Sequence, residues 1–183
     1  MRYDCPYVTP EDAPTTPRMP VIDGPWWRIC EMPDLGELAG PHPERQHVVD
    51  HGFIQARNGK WQLWACIRGT AVSRLIYGWQ GDSLEQGPWE PQGVKVRARS
   101  EFGESAGQNE AVGAPFFMEV DGRYYCFYHS AGIHAMVSED GVYYERLLDE
   151  SGSSVVYANG GRDVMMLKIK DRYFSYSTIS TAA

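Results

Sequence analysis

Val48-Val49-Asp50-His51-Gly52-Phe53-Ile54, a short linker ending at Asn58-Gly59, then Lys60-Trp61-Gln62-Leu63-Trp64-Ala65-Cys66 is the stretch whose reading decides the fold. An apolar strand with an acidic opener runs into an Asn-Gly turn, and a second strand rich in aromatics follows. The template recurs at Gly113-Ala114-Pro115-Phe116-Phe117, with a turn at Asp121-Gly122 and a second strand Arg123-Tyr124-Tyr125-Cys126-Phe127-Tyr128-His129. It recurs again at Gly161-Arg162-Asp163-Val164-Met165-Met166, a turn near Lys170-Asp171, and Arg172-Tyr173-Phe174-Ser175-Tyr176-Ser177-Thr178. Strand units repeating at this period are the signature of propeller blades. The expected fold class is therefore all-β, a β-propeller.

Working outward, Ala71 to Trp79 alternates as a third strand should, placing Val72, Arg74, Ile76 and Gly78 on one face. Trp89-Glu90-Pro91 reads as a short outer strand. In the second unit Ile133 to Ser138 is the third strand, Glu139-Asp140-Gly141 a tight turn, and Val142 to Arg146 the outer strand. Trp61, Tyr124 and Tyr173 are equivalent, spaced by 63 and then 49 residues. The longer interval holds a polar, glycine-bearing segment from Arg97 to Gln108, which reads as an inserted loop. Nine of the 12 prolines fall between Pro6 and Pro43, so residues 1–47 read as an extended arm. Within it Trp26-Trp27-Arg28-Ile29 is the expected short strand or apolar anchor. The blades are placed at about 48–92, 109–148 and, incompletely, 160–183, two and a half to three in all. Such an array leaves an unpaired edge and an uncovered apolar face. The expectation is an N-terminal part of a longer protein, or a chain that self-associates through the open edge.

The chain has 183 residues, 43% apolar and 13% aromatic, enough for a packed core and unlike a disordered composition. With 17 basic against 24 acidic residues its formal charge is −7, which argues against a general binder of nucleic acid or anionic membrane. No run approaches the roughly 18 apolar residues of a membrane span. The start, Met1-Arg2-Tyr3-Asp4-Cys5-Pro6, lacks the apolar core of a secretion signal, which leaves a cytoplasmic protein or a start further upstream. Cys5, Cys30, Cys66 and Cys126 are too widely and irregularly spaced for a metal motif. Free thiols filling apolar space are expected, with a disulfide left open.

Val49-Asp50-His51-Gly52, Gly113-Ala114-Pro115, Gly161-Arg162-Asp163-Val164 and the Ser138-Glu139-Asp140-Gly141 turn together resemble the five-bladed propellers of the furanosidase superfamily. That superfamily includes glycoside hydrolase families 43, 32, 62 and 117. In its pattern an aspartate opens the first blade, an Ala-Pro pair the second, an aspartate the third, and a glutamate in the fourth supplies the acid. The resemblance runs from about residue 45 to the end, and Asp50 and Asp163 lie 113 residues apart. Val164 stands where the pattern usually has proline, and the fourth blade with its acid is not in the sequence. The resemblance implies hydrolysis of furanosides or of plant or algal oligosaccharides, by inversion in the complete protein. The alternatives are a non-catalytic carbohydrate-binding propeller and an interaction module.

Inversion uses two carboxyl groups, one activating water and one protonating the leaving oxygen. Innermost strands converge on a propeller's axis, so Asp50 is the candidate base; its bland alternative is a strand or turn cap. Asp163 resembles the superfamily's third carboxylate, which orients the sugar and tunes the acid, with Arg162 beside it to pair with it or grip a hydroxyl. A surface Arg-Asp pair is the competing reading. Glu110, three residues before Gly113, is a stand-in acid or sugar contact, against a solvated loop glutamate. Arg68 ends a second strand and is placed to reach the cleft. His51 and His129 lie near the axis end, as sugar contacts or packed residues. No metal ligand set is expected, although some related propellers keep a histidine near an axial cation. Trp64, Trp79 and Trp89 are read as packing between blades rather than sugar platforms.

Overall fold

The computed structural model describes residues 21–157 and 161–179. Strands dominate, and the helical pieces among these residues are short 3-10 turns at Gly36–Ala39, Pro43–Arg45 and Ser100–Phe102. The first sheet is an antiparallel meander of β1 (His47–Gln55), β2 (Trp61–Thr70), β3 (Ser73–Gly81) and β4 (Glu90–Val96). The second contains β5 (Gly113–Val120), β6 (Arg123–His129), β7 (Ile133–Ser138) and β8 (Glu145–Arg146), with β9 (Val155–Tyr157) also pairing β7. The third is the hairpin β10 (Gly161–Ile169) and β11 (Arg172–Ile179). In each sheet the opener strand of the repeat is innermost, and β5 lies between β1 and β10, touching both. This is the blade arrangement of a propeller, with three blades side by side.

The period-2 alternation of β2 and β3 divides their side chains between two cores. Trp64, Ile76 and Val96 face the second sheet, where they meet Val112, Phe117, Cys126, Tyr128 and Met136. Trp64 stands edge-on to Phe117 and Tyr144, with ring centroids 5.2 and 4.9 Å away, an arrangement aromatic pairs favour. Leu63, Ala65, Ile67, Leu75, Tyr77 and Trp79 face the other way, where Trp89 and the arm residues Leu35, Leu38, Ile29 and Cys30 cover them. The arm is pinned by backbone bonds from Trp89 to Ile29 (2.7 Å) and from Ala71 to Leu38 (2.9 Å). Trp26 and Trp27, the expected anchor, are 85% and 54% exposed and form no strand. Anchoring falls instead to Ile29, Cys30, Leu35 and Leu38, which pack on the β1–β4 sheet. Of the three tryptophans read as packing between blades, all buried, Trp64 lies between the first and second sheets, while Trp79 and Trp89 lie on the face that the arm covers.

Gly52 explains how β1 and β5 come together. A Cβ there would lie 2.5 Å from the Pro115 carbonyl oxygen and 3.0 Å from the Phe117 ring, so only a glycine fits this backbone approach. The third sheet packs one face on the second, with Val164 buried and Tyr157 Oη 3.0 Å from Ser175 Oγ. Its other face exposes Met165, Leu167, Ile169 and Tyr176.

The segment between β4 and β5 is far from a loose insertion. The Glu104 carboxylate, buried, accepts hydrogen bonds from Arg146 Nε (3.1 Å) and Nη2 (3.2 Å), from the Arg99 backbone N–H (2.7 Å) and from the Tyr128 hydroxyl. Every acceptor direction is used, which a buried carboxylate requires. Burial first, and then the neighbouring Glu104 charge, pushes the Tyr128 phenol up from its ordinary value. His134 stacks on Tyr128 and is itself fully buried. Its Nε2–H donates to the Ser130 carbonyl, and its Nδ1 accepts from Ser154 Oγ at 2.8 Å. The outer strand of the second sheet is shorter than the Val142–Arg146 reading because Asp140 Oδ1 accepts the N–H groups of Val142 (2.8 Å) and Tyr143 (3.0 Å). An Asx-type turn takes those donors away from the ladder.

Gly52→Ala is expected to lower stability by about 1–3 kcal/mol, since its methyl overpacks against backbone; the urea midpoint against wild type measures it. Burial lowers the His134 pKa from the ordinary histidine value, against the pull of the Ser130 carbonyl and Glu104. A depressed histidine contributes stability that is fully present above about pH 6.5 and is lost as pH falls through the folded value. Melting temperature should therefore fall on acidification below about pH 6.5, with a shallower slope in His134→Gln over the same range.

Candidate functional site

Each innermost strand carries one residue more than its partner, at the same place. In β1 the pairing passes from Val49–Cys66 to His51–Ala65, leaving Asp50 unpaired. In β5 it passes from Gly113–His129 to Phe116–Phe127, and in β10 from Arg162–Thr178 to Met165–Tyr176. The extra residue is left-handed each time, with φ of 43° at Asp50, 48° at Ala114 and 55° at Asp163. Such a bulge breaks the alternation and re-aims one side chain. Aspartate tolerates this region because its short polar chain bonds locally, whereas alanine has no such compensation.

The three bulges border one cleft of about 140 Å3, lined by Asp50, Arg68, Arg74, Gly113, Ala114, His129, Arg162 and Asp163. Five of the seven residues singled out from sequence meet here, drawn from all three sheets. Arg68 Nη2 lies 3.5 Å from Asp50 Oδ2, and Arg162 Nε lies 3.0 Å from Asp163 Oδ2. All four side chains are more than a third exposed, so these pairs add little to stability and act on whatever enters the cleft. His129 Nδ1–H donates to the Gly161 carbonyl at 3.2 Å, tying the end of β6 to the start of β10. That bond leaves Nε2 of the neutral ring free to accept. Under the floor, Cys66 Sγ contacts the Val112 carbonyl at 3.5 Å. Burial, with the Asp50 charge adding to it, pushes its thiol up to about 11. Cys30, Cys66 and Cys126 are all free thiols, and Cys5 lies outside the described residues.

Two expected contacts lie elsewhere. Glu110 is 4% exposed and grips Arg97, accepting from Nε at 2.8 Å and from Nη2, while also accepting the Ala98 N–H at 3.1 Å. Its carboxylate is consumed in holding the end of β4, so the reading of Glu110 as an acid or sugar contact is corrected. His51 faces away from the cleft, its ring edge-on to Phe53 at 5.5 Å. The regular alternation resumes after the bulge, so His51 shares a face of β1 with Phe53 and does not line the cleft. Arg74 is the residue that sequence reading missed. It sat on a recognised face of the third strand beside Ile76, but nothing local marked it as facing the axis. Among the described residues no three of the His, Cys, Asp and Glu side chains cluster to hold a metal.

No family model and no curated protein matches the sequence. Among solved structures, an endo-arabinase from Bacteroides thetaiotaomicron superposes with a TM-score of 0.51 at 16% identity, over 74% of this chain and 46% of its own. A family 117 glycoside hydrolase from Zobellia galactanivorans gives 0.50 at 14% identity, over 72% and 48%. The chain has a β-propeller fold. A family 43 β-xylosidase/α-arabinofuranosidase from a compost metagenome, solved with xylotriose, gives 0.50 at 16% identity, over 79% and 46%. The chain thus spans just under half the length of these glycosidases, and the likeness is one of fold.

Within this propeller, Ala114→Gly should stabilise by up to about 1 kcal/mol, since relief of left-handed strain outweighs the added chain entropy. Asp163→Gly should stay within about 1 kcal/mol of wild type for the same reason. Urea unfolding of both variants checks this; a large loss in either would show that the bulge depends on the side chain.

Proposed function

We infer that the chain is a glycoside hydrolase-like propeller whose axial cleft holds a furanoside or a plant or algal oligosaccharide. The observation that carries this is the convergence of Asp50 and Asp163, from the first and third blades, on equivalent left-handed bulges at one cleft. Carboxylates paired with arginine in a polar cleft suit sugar hydroxyls, which donate to the one and accept from the other. In this reading Asp50 accepts the proton of the attacking water. Asp163 and Arg162 hold the sugar, Arg68 steadies Asp50, and His129 Nε2 accepts a hydrogen bond from a sugar hydroxyl. The carboxylates lining the cleft are Asp50 and Asp163, so the proton donor for the leaving oxygen comes from outside the described residues. With such a donor the outcome is hydrolysis, inverting if the carboxyl separation leaves room for water. Without it the same cleft binds sugar and does not cleave it. Glu110, the substitute acid considered from sequence, is already engaged with Arg97, and that favours binding without turnover as the second reading.

The test is titration of the 183-residue protein with arabino-, xylo- and agaro-oligosaccharides by calorimetry, with product analysis by mass spectrometry. At least one should bind, and Asp50→Asn and Asp163→Asn should each weaken it at least about tenfold, the loss of a charge-assisted hydrogen bond. Turnover at a rate unaffected by Asp50→Asn would remove that residue as the base. Binding unaffected by either variant would place the sugar elsewhere.

A further inference from the structure

We propose that the sugar held in this cleft carries a negative charge, a carboxylate or a sulfate ester, and that Arg74 grips it. The inference rests on the reading of the cleft as a sugar site and adds the class of sugar. Three guanidinium groups, Arg68, Arg74 and Arg162, line the cleft against two carboxylates, Asp50 and Asp163. Each carboxylate is already paired, Asp50 with Arg68 and Asp163 with Arg162. Arg74 forms no ion pair with any acidic side chain among the described residues. A local excess of positive charge appears in a chain whose formal charge is −7.

The position of Arg74 sharpens the point. It stands directly across from Arg68 in the β2–β3 ladder. Like charges opposite one another on adjacent antiparallel strands are destabilising, and a fold gains nothing by keeping them there unless a third group neutralises them. Asp50 serves Arg68, leaving Arg74 without an acidic partner among the described residues. A neutral sugar leaves the excess charge in place. A planar carboxylate or a sulfate removes it, with the forked geometry that guanidinium groups match.

The experiment compares pairs of ligands differing only in charge: trigalacturonate against its methyl ester, and κ-neocarrabiose sulfate against the desulfated disaccharide. Inorganic sulfate is titrated separately. The charged member of one pair should bind at least tenfold more tightly than its neutral partner, and which pair does so identifies carboxylate or sulfate. That preference should shrink when sodium chloride is raised from 0.05 to 0.5 M, as screening predicts. In Arg74→Gln the charged-to-neutral affinity ratio should fall to near one, and Arg74→Lys should recover part of it. Without ligand, Arg74→Gln should not lower the urea midpoint, because it relieves the cross-strand repulsion. Equal binding of both members overturns the charge while the sugar site stands. Binding of inorganic sulfate lost in Arg74→Gln, with no oligosaccharide bound, keeps the anion grip and overturns the sugar reading. Binding of none of these ligands overturns both.

Discussion

The site exists because each innermost strand spends one residue outside its ladder. A flat strand alternates its side chains between the two faces of its blade, and all of them are then used in packing between sheets. The bulges at Asp50, Ala114 and Asp163 interrupt that alternation and hold the extra residue at positive φ. A side chain is thereby turned toward the axis instead of into a core. For two of the three the residue is an aspartate, and the conformation that would strain most side chains suits it. Close approach of β1 and β5 at Gly52 then brings bulges from different blades to one cleft. Removing the bulges would leave three packed sheets and no convergence of charge.

Acidic groups elsewhere are handled by the opposite logic. Glu104 and Glu110 are buried, and burial of a carboxylate is tolerated only when its oxygens are saturated. Glu104 takes Arg146, Tyr128 and the Arg99 backbone, and Glu110 takes Arg97 and the Ala98 backbone. Removing one partner of such a pair typically costs about 3–5 kcal/mol, because the other charge stays buried. These networks lock the segment between the first and second blades. They also make both glutamates unavailable to a substrate. Asp50 and Asp163, more than a third exposed, make weaker pairs that a ligand's hydroxyl groups can join.

The two faces of the first sheet show how an open array protects itself. One is buried against the second sheet through Trp64, Phe117 and Tyr128, and the other is covered by arm residues from Ile29 to Ala39. At the far end, the third sheet has no such cover for Met165, Leu167, Ile169 and Tyr176 among the described residues. A proline-bearing segment can cover such a face because its apolar side chains, Ile29, Leu35 and Leu38, pack beside the sheet's own rings. This is a matter of shape rather than of any motif in the arm.

The sequence by itself determined the repeat, the turns and the opener-strand order, because strand period and turn chemistry are local properties of the chain. Equivalence of Asp50 and Asp163 followed from the template, whereas their convergence also needed the left-handed bulges that turn them toward the axis. Arg68, His129 and Arg162 were reachable by the same route, lying at or near the ends of repeat strands. What only the tertiary structure decided was which way the remaining groups face. Arg74 enters the cleft because β3 pairs β2 with Arg74 opposite Arg68. His51 leaves it because the strand resumes its alternation after the bulge, and Glu110 is withdrawn because Arg97 lies within reach. Trp26 and Trp27 stay exposed while Ile29 and Cys30 pack on the first sheet. Each of these depends on a partner distant in sequence, and period and composition carry no record of such partners.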